Sequence, residues 1–327
     1  MFRIGCGLFL LAIMALVNTY APEYWQPVIR LIGVNVTLAV SLNLVNGFTG
    51  QFSMGHAGFM AVGAYTAAAV TYQWVQTPDG LRLYGVGTLG GNTLFFVQTV
   101  MGGLVAAGAG WLVGLPSLRL SGDYLAIVTL GFGEIIRVSI QNIDAIGGPR
   151  GLSGIPTHAG FWWIYGWAAV TVAVVYRITR SSAGRAMMAV REDEIAARAM
   201  GVDTTKYKVR AFVISSFFAG VAGSLSAHYL NVITPQSFTY VKSFDVITMV
   251  VLGGMGSISG SILAALVLSV LPELLRPIHE YTGLDFRMVI YSLTLILMML
   301  RRPYGIFGPH ELWDILGIGT AGKAKAA

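Results

Sequence analysis

The sequence predicts an all-α, polytopic membrane protein of about ten transmembrane helices, within a range of eight to ten. Three observations lead there. Hydrophobic residues fill 55% of the 327 positions and charged residues only 11%, against roughly a quarter charged in an average soluble domain. The mean hydropathy of +0.69 leaves too little polar surface to cover the two water-soluble globules that this length would otherwise suggest. Apolar runs close to the ~20 residues needed to cross a ~30 Å hydrocarbon core recur along the whole chain. A single cysteine, Cys6, excludes an internal disulfide framework and any cysteine-rich metal site.

In order, the runs fall near 4–21, 27–46, 54–73, 92–115, 120–138, 161–178, 209–230, 243–254, 258–275 and 286–300. The first follows Arg3 and is read as an uncleaved span rather than a signal peptide, because Asn18-Thr19-Tyr20-Ala21-Pro22-Glu23 offers no small-x-small cleavage site. Around the start of the third, Gly50, Gly55, Gly58 and Gly63 surround Gln51, Ser53 and His56. Such glycines let the backbone bend and leave polar groups facing a cavity, or else they serve tight helix packing. The fourth run carries Gly102, Ala106, Gly110 and Gly114 at four-residue intervals, a strip for close helix contact within the subunit or across a dimer. Gly256, Gly260 and Ala264 repeat the device.

The fifth run has Asp123 and Glu134 at its two ends. Asp123, after Ser121-Gly122, reads as a helix cap. Glu134 has Arg137 one turn on, so it reads as an i,i+3 ion pair or as a substrate contact. The eighth run is too short to span squarely and ends in Gly253-Gly254-Met255-Gly256, which suggests a broken or re-entrant element near 243–256. Asp245, near its start, also reads as a cap. Gly47, Gly50 and Ser53 share their spacing with Gly253, Gly256 and Ser259, consistent with an internal repeat.

Ten crossings with a cytoplasmic N-terminus place 14 of the 21 Lys and Arg inside, and leave Arg30, Arg82, Arg137, Arg150, Lys242, Arg276 and Arg287 outside or at the outer rim. That bias predicts an N-in, C-in orientation. It also accounts for the net charge of +6 without nucleic acid, since no basic patch interleaved with aromatics is present. Residues 1–309 form one membrane domain and 310–327 a cytoplasmic tail. The most charged connection, about 179–208, is cytoplasmic. Within it, the stretch from Arg185 to Gly201 reads as a helix, either docked in another protein's groove or exposed as an amphipathic linker.

Two nucleotide-binding patterns fail. Gly85-Val86-Gly87-Thr88-Leu89-Gly90 lacks a preceding buried strand and a following acidic residue, and Gly317 to Lys323 is followed by Ala324 instead of the Ser or Thr that would ligate magnesium. The five histidines, His56, His158, His228, His279 and His310, have no second ligand at helical spacing. Neither a nucleophile elbow nor paired carboxylates suggest hydrolysis.

Glu194-Ile195-Ala196-Ala197-Arg198-Ala199-Met200-Gly201 resembles the E-A-A-x-x-x-G coupling loop of ABC-importer permeases, departing at Ile195, since Glu194 lies one position early. Four more stretches extend the likeness over roughly residues 25 to 308: Gly50 to Phe59, Gly122 to Arg137, Gly147 to Leu152 and Gly253 to Ser257. Together they resemble the permease subunits of branched-chain amino-acid ABC importers, of the LivM type. The resemblance implies alternating access in a bacterial inner membrane, with no chemistry and no cofactor in this chain. It implies a homologous second permease (or a copy of itself), two cytoplasmic ATPases that carry ATP and magnesium, and a periplasmic binding protein. On this sequence, coupling falls to Arg191, Glu192, Glu194, Ala196, Ala197 and Gly201, and the pathway to Gln51, Ser53, His56, Asp123 and Glu134. Backbone flexibility falls to Gly50, Gly55, Gly253, Gly254 and Gly256. A rival reading, a secondary transporter or channel, would need coupling-ion sites, usually several buried carboxylates or unwound helices near mid-span, and no carboxylate is found there.

Overall fold

The structure is a computed structural model that describes residues 22–75, 89–118, 120 and 122–274, together with positions 293, 296, 300, 301, 305–308 and 311. The helices are α1 (Gln26–Asn43, continued by a π-helical turn Leu44–Phe48), α2 (His56–Val75), α3 (Leu89–Ser117), α4 (Asp123–Gln141) and α5 (Phe161–Arg180). They continue with α6 (Ser182–Glu192), α7 (Glu194–Ala199), α8 (Thr204–Leu230), α9 (Tyr240–Gly253) and α10 (Ile258–Leu274). Eight of the ten apolar runs thus coincide with helices. The first run lies outside the described residues, as do both failed nucleotide patterns in large part, and only scattered positions of the tenth are described. Among the described residues, four helical stretches, Glu23–Phe48, Gly90–Ser117, Phe161–Arg180 and Thr204–Leu230, are long and apolar enough to cross a membrane on their own.

Helix α1 sits at the centre, nearly every side chain buried, against α5, α8, α9 and α10. Buried hydroxyls along the helices bond back to the preceding turn: Thr37 to Gly33, Thr99 to Phe95, Thr171 to Trp167 and Ser269 to Ala265, all as donors to carbonyl oxygens. An apolar surround leaves a hydroxyl no water, so the local carbonyl is the available acceptor.

Helices α2, α3 and α8 form the tightest packing, and glycines make it. A Cβ at Gly63 would strike the backbone of Gly220, one at Gly220 would meet Ala106 and the Gly102 carbonyl oxygen, and one at Gly223 would strike the Met60 carbonyl oxygen. Gly102, Ala106, Gly110 and Gly114 all face α8 of the same chain. The four-residue strip is therefore used within the subunit.

One small departure from the all-α expectation is an antiparallel pair, β1 (Leu152–Ser153) with β2 (Val232–Ile233). It joins the connections that follow α4 and α8. Nearby, Tyr229 donates to the Pro27 carbonyl oxygen, and Tyr24 reaches Glu273. The opposite end of α8, about 40 Å away by helical rise, meets α6 and α7.

Two sequence-based cap assignments fail. Gly122, with φ of 62°, holds the N-cap position of α4, so Asp123 is already the first helical residue and makes no capping bond. Its charge still lies in the first turn, where the helix dipole favours an acid. Asp245 lies inside α9, whose N-cap is Thr239. In both cases the helix begins earlier than the apolar run, or at a glycine that reverses the chain.

Candidate functional site at the coupling segment

The stretch read as one helix from Arg185 to Gly201 is two. Ser181 caps α6, accepting from the Gly184 N–H at 3.2 Å. The chain then extends at Asp193 (φ −155°, ψ 110°), whose carboxylate accepts from the N–H groups of Ile195 and Ala196 at 2.8 and 3.0 Å. A short polar side chain that satisfies two orphan donors starts a new helix more readily than it continues an old one. After α7, Gly201 turns the chain at φ +83°, and the Val202 N–H returns to the Ala197 carbonyl. Asp203 caps α8 through the Lys206 N–H.

This double turn is fastened by Glu194. Its carboxylate accepts from Lys208 Nζ at 2.6 Å and from Arg198 at 2.9 Å, and Arg198 also donates to Thr204. Partial burial pushes the Glu194 carboxyl up, but the bond and charge of Lys208, aided by Thr204 and Arg198, outweigh it and hold the pKa below the usual value. A carboxylate whose folded pKa is depressed adds stability above its unfolded pKa, and that stability is lost as pH falls through the folded value. The protection factors of the α7 amides, taken relative to the intrinsic exchange rate at each pH, are accordingly expected to be high at neutral pH and to fall below the ordinary glutamate range. Glu194→Gln should remove that pH step, leaving protection low at both ends; a step that survives the substitution would assign it to another group.

Along α6 and α7, Met187, Val190 and Ala197 are buried. Ile195 and Met200 point outward at 81% and 84% exposure. The two turns therefore present a small apolar tip. Ala196 and Glu192 are exposed beside it, and Gly201 has open space where a side chain would stand.

Arg191 joins this segment to the membrane helices. Its Nη1 donates to the Gly47 carbonyl oxygen at 3.0 Å, while Nε and Nη2 pair with Glu192. Gly47 lies in the π-helical turn that ends α1. Gly50, at φ +70°, leaves no room for a side chain, because a Cβ there would lie 2.8 Å from Arg191 Cγ. A Cβ at Gly256 would come within 3.0 Å of Arg191 Nη1. One guanidinium is thus wedged between two departures from α-helical backbone, the π turn and following loop of residues 44–55 and residues 254–257. The sequence reading assigned these residues to three separate roles, and folding brings them to one place.

Both interruptions are held by amides in α1 and its π turn that the sequence reading passed over. Asn43 donates to the Ser257 carbonyl at 2.8 Å and to Ser261 Oγ at 2.9 Å, and its Oδ1 accepts from the Gly256 N–H at 2.9 Å. Asn46 Oδ1 accepts from the Ser53 N–H, and the Gln51 N–H donates to the Val45 carbonyl. The missed signal was an asparagine inside an apolar run, where an unpaired amide would be costly. Gly254 and Gly256 turn the chain at φ 111° and 90°, and Gly253 packs directly on Gly260. Glu311 accepts from the Ile258 and Ser259 N–H groups, closing the start of α10.

The sequence-predicted pathway residues divide. His56 Nε2 lies 3.1 Å from Ser41 Oγ of α1, with Ser53 beside Asn46, so both face the protein interior. Gln51 is buried, and its side-chain amide has no hydrogen-bond partner among the described residues. Glu134 lies apart on α4, paired with Arg137 at 2.7 Å as its spacing suggested and also accepting from the Tyr240 N–H. Asp123 is exposed at the far end of that helix. Glu134, Gly58, Gly133, Tyr240 and Ser243 line a cavity of about 10 Å³ between α2, α4 and α9, barely room for one water. Glycines close it: Gly55 lies on Thr129, and Gly58 on Gly133.

Residues 26–299 match the family described as the permease component of the branched-chain amino acid transport system. The chain belongs to this family. The permease is 39% identical over 308 residues to the LivM high-affinity branched-chain amino acid transport permease of Salmonella typhimurium, covering 84% of this chain and 67% of that protein. It is 27% identical to a probable LivM of Methanocaldococcus jannaschii (84% of this chain, 90% of the other). It is 26% identical to the LivH permease of Salmonella typhimurium (84% and 91%). No solved structure matches the permease.

Proposed function

We propose that this permease forms one half of the translocation pathway of an ABC importer for branched-chain amino acids, moving them by alternating access driven by partner ATPases. The carrying observation is the wedge of Arg191 between the two backbone interruptions. A segment outside the membrane helices that rests on both breaks can move them, and at both the regular α-helical ladder gives way. The double turn α6–α7 is the docking element, tipped by Ile195 and Met200. A second permease related to LivH completes the pathway, two cytoplasmic ATPases hold ATP and magnesium, and a periplasmic protein delivers substrate.

Ten spans in an N-in, C-in orientation fit the way connections gather. Three of the connections expected on the cytoplasmic side, near 46–54, 179–208 and 254–258, meet at Arg191, while two of those expected outside, near 141–160 and 231–239, meet in the β1–β2 pair. The bacterial inner membrane is the corresponding location. A cavity of about 10 Å³ between α2, α4 and α9 is far too small for an amino acid, so the pathway is closed there in this conformation. Withdrawal of α4 from the glycines of α2 would open it towards Glu134.

Docking is tested by co-purification. Ile195→Asp with Met200→Asp is expected to abolish capture of the ATPases, because the tip would carry charge into an apolar groove. Both side chains are almost fully exposed, so insertion and folding should be unchanged. ATPases retained by the double variant would remove the tip from the interface. Solute uptake by wild type in liposomes without ATP would replace the importer with the secondary-transporter reading.

A further inference from the structure

A cleft of about 530 Å³ lies between the end of α3 and the start of α8, on the face of α8 turned away from the Glu194 contacts. Its apolar lining includes Trp111, Leu115, Val213 and Ile214, and its polar end carries Lys206 and Arg210. We propose that this cleft binds one anionic phospholipid, its phosphate between Lys206 and Arg210 and an acyl chain along Val213, Ile214 and Trp111. The site goes beyond the coupling role and rests only on the chain's placement in a bilayer.

The geometry is that of a lipid read from head to tail. Lys206 and Arg210 are one helical turn apart on the same face, and Val213 and Ile214 follow on the next turn, about 12 Å from Lys206. Across the cleft α3 runs antiparallel, so Leu115 sits nearer the charged end and Trp111 deeper, as the packing of Gly114 on Phe212 and Gly110 on Ser216 fixes. Neither cation has a carboxylate partner within ion-pair distance among the described residues. Arg210 rests over the Tyr207 ring at 5.8 Å. Asp203 also borders the cleft, and its carboxylate accepts from the Lys206 N–H. The neighbouring face of α3, with Leu104, Val105 and Leu112 exposed, is apolar and continuous with it. Basic side chains at the end of an apolar interhelical groove, with a tryptophan deeper along it, complement a phosphate attached to hydrocarbon. Bound there, the lipid would brace the turn that carries Lys208, and through it Glu194.

The test quantifies phospholipid retained by the full chain purified in neutral detergent from a membrane holding zwitterionic and anionic lipids. Wild type should retain about one anionic phospholipid per chain, and Lys206→Gln with Arg210→Gln should lower its affinity about tenfold or more. Trp111→Ala should weaken retention with both charges intact. Arg177→Gln with Arg180→Gln, which removes equal charge from the end of α5, should leave it unchanged. Equal retention by the cleft variant, or equal loss in the α5 control, would overturn the proposal. So would inorganic phosphate protecting against heat as well as phosphatidylglycerol does, because the hydrocarbon would then contribute nothing. ATPase capture read in the same preparations reports on the coupling role separately.

Discussion

Replacing Arg191 by alanine is expected to lower ATP-driven uptake about ten- to hundredfold while the ATPases still co-purify. The side chain makes a charge-assisted hydrogen bond to the Gly47 carbonyl at 3.0 Å and fills the space that Gly50 and Gly256 leave open. A hydrogen bond of that kind contributes about 1.5–3 kcal/mol, and each 1.4 kcal/mol is a factor of ten. The proposed docking tip, Ile195 on α7 and Met200 at its C-cap, is not altered by the substitution, so binding and transmission separate. Arg191→Lys should recover only part of the activity, because an ammonium cannot bond Gly47 and Glu192 through separate arms of a planar fork. The measurement is uptake in proteoliposomes alongside ATP hydrolysis. Uptake at the wild-type level would show that the double turn acts on the helices through some other contact.

The second large effect is steric. Gly63→Ala is expected to destabilise the fold by about 2–3 kcal/mol, since its new methyl group would meet the backbone of Gly220, which cannot rotate away. Helices α2, α3 and α8 would have to separate along a contact that Gly102, Gly220 and Gly223 bring to backbone distance. Gly108→Ala is the matched control, on the exposed side of α3, with nothing within 4 Å of the added carbon. It should be neutral or slightly stabilising, because alanine is the better helix former. The comparison is read as the temperature at which each variant aggregates in detergent. Equal loss in both would trace the effect to helix propensity or insertion and not to the three-helix contact.

Residue chemistry exposed part of the site in advance. The likeness of Glu194 to Gly201 to a permease coupling loop points to this segment, and in the fold Ala197 is buried and Gly201 turns the chain at positive φ. The Glu134–Arg137 pair was also readable, because i,i+3 geometry on a helix is local. Asn43 was not. Its partners lie 213 to 218 positions away, and nothing within the 27–46 run indicates which distant turn it closes. The break at Asp193 was missed because a helical reading weighs alanines and charges along the whole stretch. The cap depends on one carboxylate turning back to two N–H groups.

Sequence alone determined that the chain is helical and apolar, and where most helices lie. Hydrophobic run length and local hydrogen bonding decide those properties within each segment. It also marked the glycines as places of close approach or turning. Only the tertiary structure decided which approach each one serves: Gly102 and Gly110 against α8 of the same chain, and Gly50 and Gly256 around Arg191. It alone brought residue 191 to residues 47 and 256. Helix pairing of this kind is set by backbone proximity and buried polar partners between segments far apart in the chain, and no local pattern encodes it.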